Sequence, residues 1–337
     1  MSLSPARLPK RGSAFDLAIA IAVLAAAHAG IRTAVIATAN QAEAALVPGI
    51  TVIAANSLAQ VAAWLRGGTP PYRQSPGTRD DDGPVPAGSP PDLADVLGQE
   101  EVRRALEVCA AGGHHLSMVG PAGTSAAMLA ERLPTILPAL ETAEALEVTS
   151  IHSVAGMLRP GTGLITDPPF AAPRHTCSQA AMLGGGPGLT RPGAVSLAHR
   201  GVLFLDQAPE FPRDLLDALR QPLETGNVVI ARMSMTATFP ARFTLVLAAG
   251  PCPCAATAAF RETECRCSPA ARRRYLGRLS GPLLDRVDVK VSLQRPGRED
   301  PPGHASGERS AVVAQRVAAA RQRSAGRLAG WPEHRGG

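Results

Sequence analysis

Along most of this chain, short runs of branched apolar residues alternate with stretches whose apolar positions recur at helical spacing. The runs HHLSMVG (114–120), GVLFLDQ (201–207), FTLVLAAG (243–250) and VDVKVSL (287–293) read as short apolar strands, and GVLFLDQ as a buried one, because a strand covered on both faces stays apolar almost without interruption. Strands interleaved with helices in this way predict an α/β fold with a mostly parallel, three-layer sheet, and ligands of such sheets sit at the carboxyl ends of the strands. Nearer the start, TAVIAT (33–38) and ITVIAA (50–55) read as strands and 57–65 as a short helix. The apolar stretch DLAIAIAVLAAAHAGI (16–31) reads as a buried helix: its uninterrupted part, 17–27, is too short to span a bilayer, and no convincing cleavage pattern accompanies it.

Four segments follow from these patterns. Residues 1–67 form a small Ala-rich α/β unit; 68–92 are a flexible linker so dense in Pro, Gly, Ser and Asp that they bury too little apolar surface to order themselves. Residues 93–293 form the larger domain, and 294–337 a tail with one basic helix over 308–328 and no evident last packing element. The whole is 337 residues, 45% hydrophobic and 18% charged, enough for one large domain or two ordinary ones with real cores. Aromatics make up 3%, so the core is built from Ala, Val, Leu and Ile. Six cysteines, of which Cys109 and Cys177 stand alone, do not make a secreted disulfide framework. A cytoplasmic protein without membrane association is expected.

The net charge of +6 comes almost entirely from arginine, since Lys10 and Lys290 are the only lysines. That changes the reading of SMVGPAGTSAAMLAERL (117–133), which has the strand, glycine turn and helix of a phosphate-binding loop. Such a loop offers backbone N–H groups, a lysine for the β and γ phosphates and a hydroxyl for magnesium. Gly120 and Gly123, with the following helix from Thr124 through Ser125, Ala126 and Ala127, can supply the amides, which attract anions whatever the side chains; Pro121 belongs to the same candidate loop but has no N–H to offer, and the lysine and hydroxyl are missing. At the end of the second strand Asp206 can hold magnesium if nucleotide binds, but the adjacent Gln207 has no useful basicity and cannot act as a general base. Gly250 ends the third strand where a polar side chain would sense the γ-phosphate. Taken alone, GPAGTS is also an ordinary strand-to-helix turn; the order of turn, acid and third strand favours a nucleotide site with absent or very slow hydrolysis.

These residues resemble the bacterial Mg-chelatase-like AAA+ family called YifB or ComM, related to the ChlI subunit of magnesium chelatase. SLSPARLPKRGSAFDLAIAIAVLAA (2–26), DLADVLGQEEVRRALEVCAAGGHHLSMVGPAGTS (92–125), APRHTCSQAAMLGGG (172–186), RPGAVSLAHRGVLFLD (191–206), LLDALRQPLETGNVVIAR (215–232), PARFTLVLAAGPCPC (240–254) and YLGRLSGPLLDRVDV (275–289) carry the likeness. It implies an AAA+ core of P-loop type preceded by a Lon-protease-like (ribosomal S5 domain 2-like) domain. Several departures bear on the site. Against a family loop like GPPGTGKT, Ala126 and Ala127 stand at the lysine and the magnesium-ligating threonine; Gln207 stands at the Walker B glutamate and Gly250 at the sensor asparagine. In DPPFAAPRHT, Asp167 replaces a usual basic residue and Arg174 a histidine. AAAHAG runs directly into IRTAVIATANQ, skipping strands of the family's N-terminal domain, so that domain is expected to be incomplete and the C-terminal helical lid largely absent. No Ser–Lys pair supports protease activity.

The resemblance therefore implies a family ATPase expected to be catalytically inactive, binding ATP and magnesium weakly. Two alternatives stay open: a non-catalytic scaffold in an AAA+ ring of itself or paralogues, or on DNA, and a residual ATPase acting in DNA branch migration or recombination as in ComM. Arg278 and Arg286 are candidates for the arginine that reaches a neighbouring subunit's nucleotide, or for structural ion pairs with Asp285 or Asp288. The arginine run of 261–286, with RRR at 272–274, reads either as a solvated helix face or as a nonspecific DNA contact. Cys252, Cys254, Cys265 and Cys267, as CPC and CRC, are either a small structural zinc site or reduced thiols. His114 and His115 are expected to pack or cap, and GGGPG (184–188) to be a flexible loop.

Overall fold

The computed structural model describes residues 30, 32–38, 50–68, 91–121, 123–158, 163–186, 190–232, 235–256, 265–279, 281–294 and 307–328. The helix expected over 16–31, apart from Gly30, and most of the linker (69–90) lie outside them. The chain divides into two compact units, Met1–Ala87 with Ala145–Ile165, and Gly88–Glu144 with Thr166–Gly337. In the first, β1 (Thr33–Ala37) and β2 (Thr51–Ala55) pair in parallel from Thr33 opposite Thr51 to Ala37 opposite Ala55. The helix α1 (Leu58–Leu65) follows, its first turn closed by Ser57, whose hydroxyl accepts from the Gln60 amide, while Gln60 Oε1 accepts from Asn56 N at 2.8 Å.

The second unit opens with α2 (Glu100–Gly112), whose buried Val102, Ala105, Leu106, Cys109 and Ala110 recur at helical spacing. It stops at Gly113, where φ of 71° lets the amide turn back onto Cys109 O at 2.8 Å. Then come β3 (Leu116–Val119), α3 (Ala126–Arg132), β4 (Phe170–Ala171) and β5 (Val202–Leu205), followed by the antiparallel hairpin β6 (Asn227–Arg232) and β7 (Met235–Pro240). The chain closes through β8 (Thr244–Ala249), α4 (Pro269–Leu276), β9 (Val289–Ser292) and α5 (Ser310–Leu328). Five strands form one all-parallel sheet in the order β9-β3-β8-β5-β4.

Successive residues of a strand point to opposite faces, and this sheet uses both. Leu116, Met118, Phe204 and Val246 join a core with Leu106 of α2 and Leu129 of α3. Leu203, Leu205, Leu245 and Leu247 join a second core with Met182, Leu216 and Leu219. That two-sided burial is the three-layer arrangement the apolar runs predict. Gly184 and Gly185, expected in a flexible loop, instead pair with Pro192 and Arg191; at Gly184, a Cβ would lie 2.6 Å from Arg191 O, so only glycine allows this approach.

The tail departs furthest from expectation, because α5 is a packing element. Val313 and Val317 are 2% and 0% exposed in the first core. Arg316 donates to both carboxylate oxygens of Glu107 at 2.8 and 3.0 Å and to Glu308, and Arg321 Nε donates to Ala110 O at 2.8 Å. Where α5 begins, the Ser310 amide donates to Asp92 Oδ1 at 2.9 Å and its hydroxyl accepts from Leu93 N at 2.7 Å. Asp92 and Asp95 form a capping box, and the Ala94 and Ser310 amides hold the Asp92 carboxyl below its ordinary range. Arg132, 9% exposed, spans this corner by donating to Asp92 O and Asp95 Oδ2, each at 2.9 Å.

Both histidines beside β3 have structural partners. His115 Nδ1 accepts from Leu245 N at 3.0 Å, and burial pushes its pKa below the usual value, so the ring is neutral. His114 Nδ1 lies 3.2 Å from Asp288.

Candidate nucleotide-binding site

The carboxyl ends of β3, β5 and β8 meet at a cleft of about 290 Å³. The turn after β3 is held there by its backbone: Gly120 N donates to Ala249 O at 3.0 Å, and a Cβ on Gly120 would stand 2.5 Å from the Leu293 side chain. Thr124, 3% exposed, donates its hydroxyl to Pro121 O at 2.8 Å and so staples the turn. Gly123 has φ of 82° and Ser125 φ of 64°, left-handed conformations that swing the chain into α3. Gly120, Pro121, Gly123, Thr124, Ser125, Ala126 and Ala127 all line the cleft; Ala122 lies outside the described residues.

On the opposite wall Asp206 follows β5, its Oδ1 accepting from Gln207 N at 2.9 Å. Gln207 adopts φ of 51° and leads into the single helical turn Ala208–Glu210. Gly250 follows β8; a Cβ there would approach the Ala255 side chain at 3.0 Å, closer than ordinary contact. Asp206, Gln207 and Gly250 line the same cleft, so the tertiary fold brings together every loop and strand-end position singled out from the sequence. Sequence reasoning missed Tyr275 and Leu293, which also line it. Neither has a local signal: each reaches the cleft by packing from a later element. Tyr275 is 3% exposed and its hydroxyl pKa is pushed up to about 12, chiefly by burial. Among the described lining residues Asp206 carries the one formal charge, and none is basic.

The candidate inter-subunit arginines have partners, though not those expected. Arg278 donates to Glu210 at 3.1 Å and Pro209 O at 3.3 Å, with its guanidinium 5.9 Å from the Tyr275 ring centre. Arg286 pairs with Glu224 at 3.1 Å. Asp285 and Asp288, nearer in sequence, are not the partners: Asp288 turns to His114, and the carboxylates that meet these arginines come from elements adjacent in space. Arg272, Arg273 and Arg274 are exposed on α4 while Tyr275 between them and Leu276 is buried. Cys252, Cys254, Cys265 and Cys267 converge, their sulfurs all within 4.8 Å of one another.

A family model described as "Magnesium chelatase, subunit ChlI" matches residues 92–300, and one described as "Subunit ChlI of Mg-chelatase" matches residues 1–48. The chain is 47% identical over 371 residues to an uncharacterized protein of Mycobacterium tuberculosis, covering 99% of this chain and 71% of that one. It is 39% identical to YifB of Escherichia coli, covering 96% and 69%, and 37% identical to the competence protein ComM of Haemophilus influenzae, covering 96% and 70%. The chain belongs to the YifB/ComM family of magnesium-chelatase-like AAA+ proteins. In this YifB/ComM chain the parallel sheet, glycine turn and strand-end acid are the α/β AAA+ core. The YifB match runs over 364 residues and the ComM match over 366, both longer than the 337 residues here, so these relatives carry positions with no counterpart in this chain. Among the described residues no helix is long and apolar enough to cross a membrane.

Proposed function

We propose that this YifB/ComM-family chain is a cytoplasmic nucleotide-binding protein that takes Mg-ATP weakly and hydrolyses it little or not at all. The observation that carries this reading is the lining of the cleft. Its positions are those that meet a nucleotide in the family, yet its charge is that of Asp206, without a cation. A triphosphate would be met by the amides of the glycine turn and helix start, with no cation beside them. Magnesium would have the Asp206 carboxylate, but no hydroxyl stands at Ala127, where a family loop like GPPGTGKT carries its magnesium-ligating threonine. Gln207 can orient a water but cannot take its proton. This donor set fits a bound nucleotide better than a hydrolysed one.

Titration of the full chain with Mg-ATP, alongside a turnover assay and the Asp206→Ala variant, tests it. Saturable binding with no turnover above the variant is the expected result. No saturation at millimolar nucleotide would remove the binding half of the proposal; turnover abolished by Asp206→Ala would remove the other half and restore an ATPase.

A second reading, a non-catalytic subunit that sits on DNA, draws on the exposed Arg272–Arg274 face and on the likeness to competence protein ComM. Tyr275, buried, offers no base a stacking surface, so contact would run through phosphates. Binding to random-sequence duplex is then expected to fall steeply with salt, with a log–log slope near −0.9 per phosphate neutralised, and to lose two to three such contacts when Arg272, Arg273 and Arg274 are replaced by Gln. Salt-independent binding, or none at low salt, rejects this reading.

A further inference from the structure

The geometry points to a structural zinc site: Cys252, Cys254, Cys265 and Cys267 hold one Zn²⁺ as a tetrahedral tetrathiolate that closes the loop between β8 and α4. The site stands independently of the nucleotide reading. Cys252 and Cys254 lie 3.2 Å apart at sulfur, Cys252 and Cys265 3.5 Å, Cys254 and Cys265 3.5 Å, and Cys267 and Cys254 3.4 Å. A regular tetrahedron of thiolates at the Zn–S length of ~2.3 Å has sulfur–sulfur edges of about 3.8 Å, so a shift of a few tenths of an ångström brings all four onto one ion. None of these cysteines is in a disulfide, and the separations exceed by far the ~2.05 Å of that bond. An all-thiolate tetrahedron with no open position suits zinc, with iron the competitor that metal content separates, and describes a structural rather than a catalytic site.

Packing supplies the reason for an ion. The loop has a core of its own that contains, among the described residues, Cys252 and Ala255 buried, with Cys254, Cys265 and Cys267 packed against them. Among the described residues no Leu, Ile, Val or Phe takes part. Such a cluster buries too little apolar surface to offset the entropy of ordering the loop, whereas binding a structural zinc contributes directly to folding.

The chain geometry suits the purpose at both ends. The first pair leaves β8 through the helical turn Pro253–Ala256, with Ala255 N donating to Cys252 O at 3.1 Å. The second pair runs into α4, which Ser268 caps by accepting from Ala271 N.

Electrostatics explains the neighbouring arginines. Four thiols lose their protons to solvent when they take up Zn²⁺, leaving a complex of charge −2. Arg272 already places its guanidinium 3.4 Å from Cys265 Sγ, and Arg266, Arg273 and Arg274 lie close in sequence. Part of the basic run is thereby accounted for as compensation for a half-buried anion. The same loop supplies Ala255 to the wall of the nucleotide cleft, and α4 supplies Tyr275, so the ion would fix that wall.

The test is metal content of the full chain, purified without a polyhistidine tag, in reductant and without added metal, by plasma mass spectrometry. One zinc per chain is expected, falling to background in Cys265→Ser/Cys267→Ser and unchanged in Cys177→Ser. Replacement by Co²⁺ is expected to give the intense visible bands of a tetrahedral cobalt thiolate. Should the double variant fail to fold, the wild-type chain still decides the matter: an organomercurial should release zinc in step with four thiols. Wild-type protein with background zinc, with iron in its place, or with zinc retained in the double variant overturns the proposal.

Discussion

Replacing Ala126 by Lys and Ala127 by Thr is expected to raise the affinity for Mg-ATP about tenfold to a hundredfold, the worth of ~1.5–3 kcal/mol for a charge-assisted contact to a phosphate. Both alanines stand at the head of α3 against the cleft. Ala126 is partly buried against the first core, so a lysine there can lay its methylenes on that surface and carry its ammonium toward the phosphates. Ala126→Gln, of similar length and without charge, is the control. Isothermal titration of the variants gives the comparison; equal affinity for the Lys and Gln forms would mean that this position does not face bound phosphate. Turnover should stay absent in the Lys/Thr form and appear only when Gln207→Glu is added, because tighter binding of the ground state alone does not accelerate hydrolysis and an amide cannot accept the proton.

Introducing a charge on the inner face of α5 should destabilise the fold more than any surface change. Val317→Asp places a carboxylate where the residue is 0% exposed, in the core with Leu106 and Leu116, at an expected loss of at least ~3 kcal/mol. That is a large part of the ~5–15 kcal/mol that holds a typical domain together. Val312→Asp, on the same helix but 47% exposed, should change stability by no more than about 0.5 kcal/mol. Urea unfolding followed by circular dichroism separates the two. Similar midpoints for both variants would show that α5 is not part of the cooperative core.

Much of the candidate site is legible in the chain because local sequence sets it. A glycine turn between a strand and a helix, and an acid closing an apolar run, fix the backbone of Gly120, Pro121 and Gly123–Ala127 and place Asp206 at a strand end; the parallel sheet then brings the strand ends together. The partners of Arg278 and Arg286 were not legible. Nearest acids in sequence, Asp285 and Asp288, are poor guides when the carboxylates that meet the arginines, Glu210 and Glu224, come from elsewhere in the chain. The role of the tail was equally hidden: its helix is rich in Ala and Arg, and nothing in that composition says that Val313 and Val317 meet α2.

Sequence alone determined four of the five strands of the parallel sheet, three of them buried on both faces, the glycine turn and the acid, the absence of a lysine from that turn, and the spacing of the two cysteine pairs. All depend on residues near one another along the chain, where periodicity and backbone preference act. Only the tertiary structure decided that α5 completes the first core, that Tyr275 and Leu293 close the cleft, and that four sulfurs separated along the chain gather within 4.8 Å. The first two are contacts between segments distant in sequence, set by how the layers pack, and no local pattern encodes them; the third is the closing of one loop, which the two cysteine pairs suggest and only the folded backbone fixes.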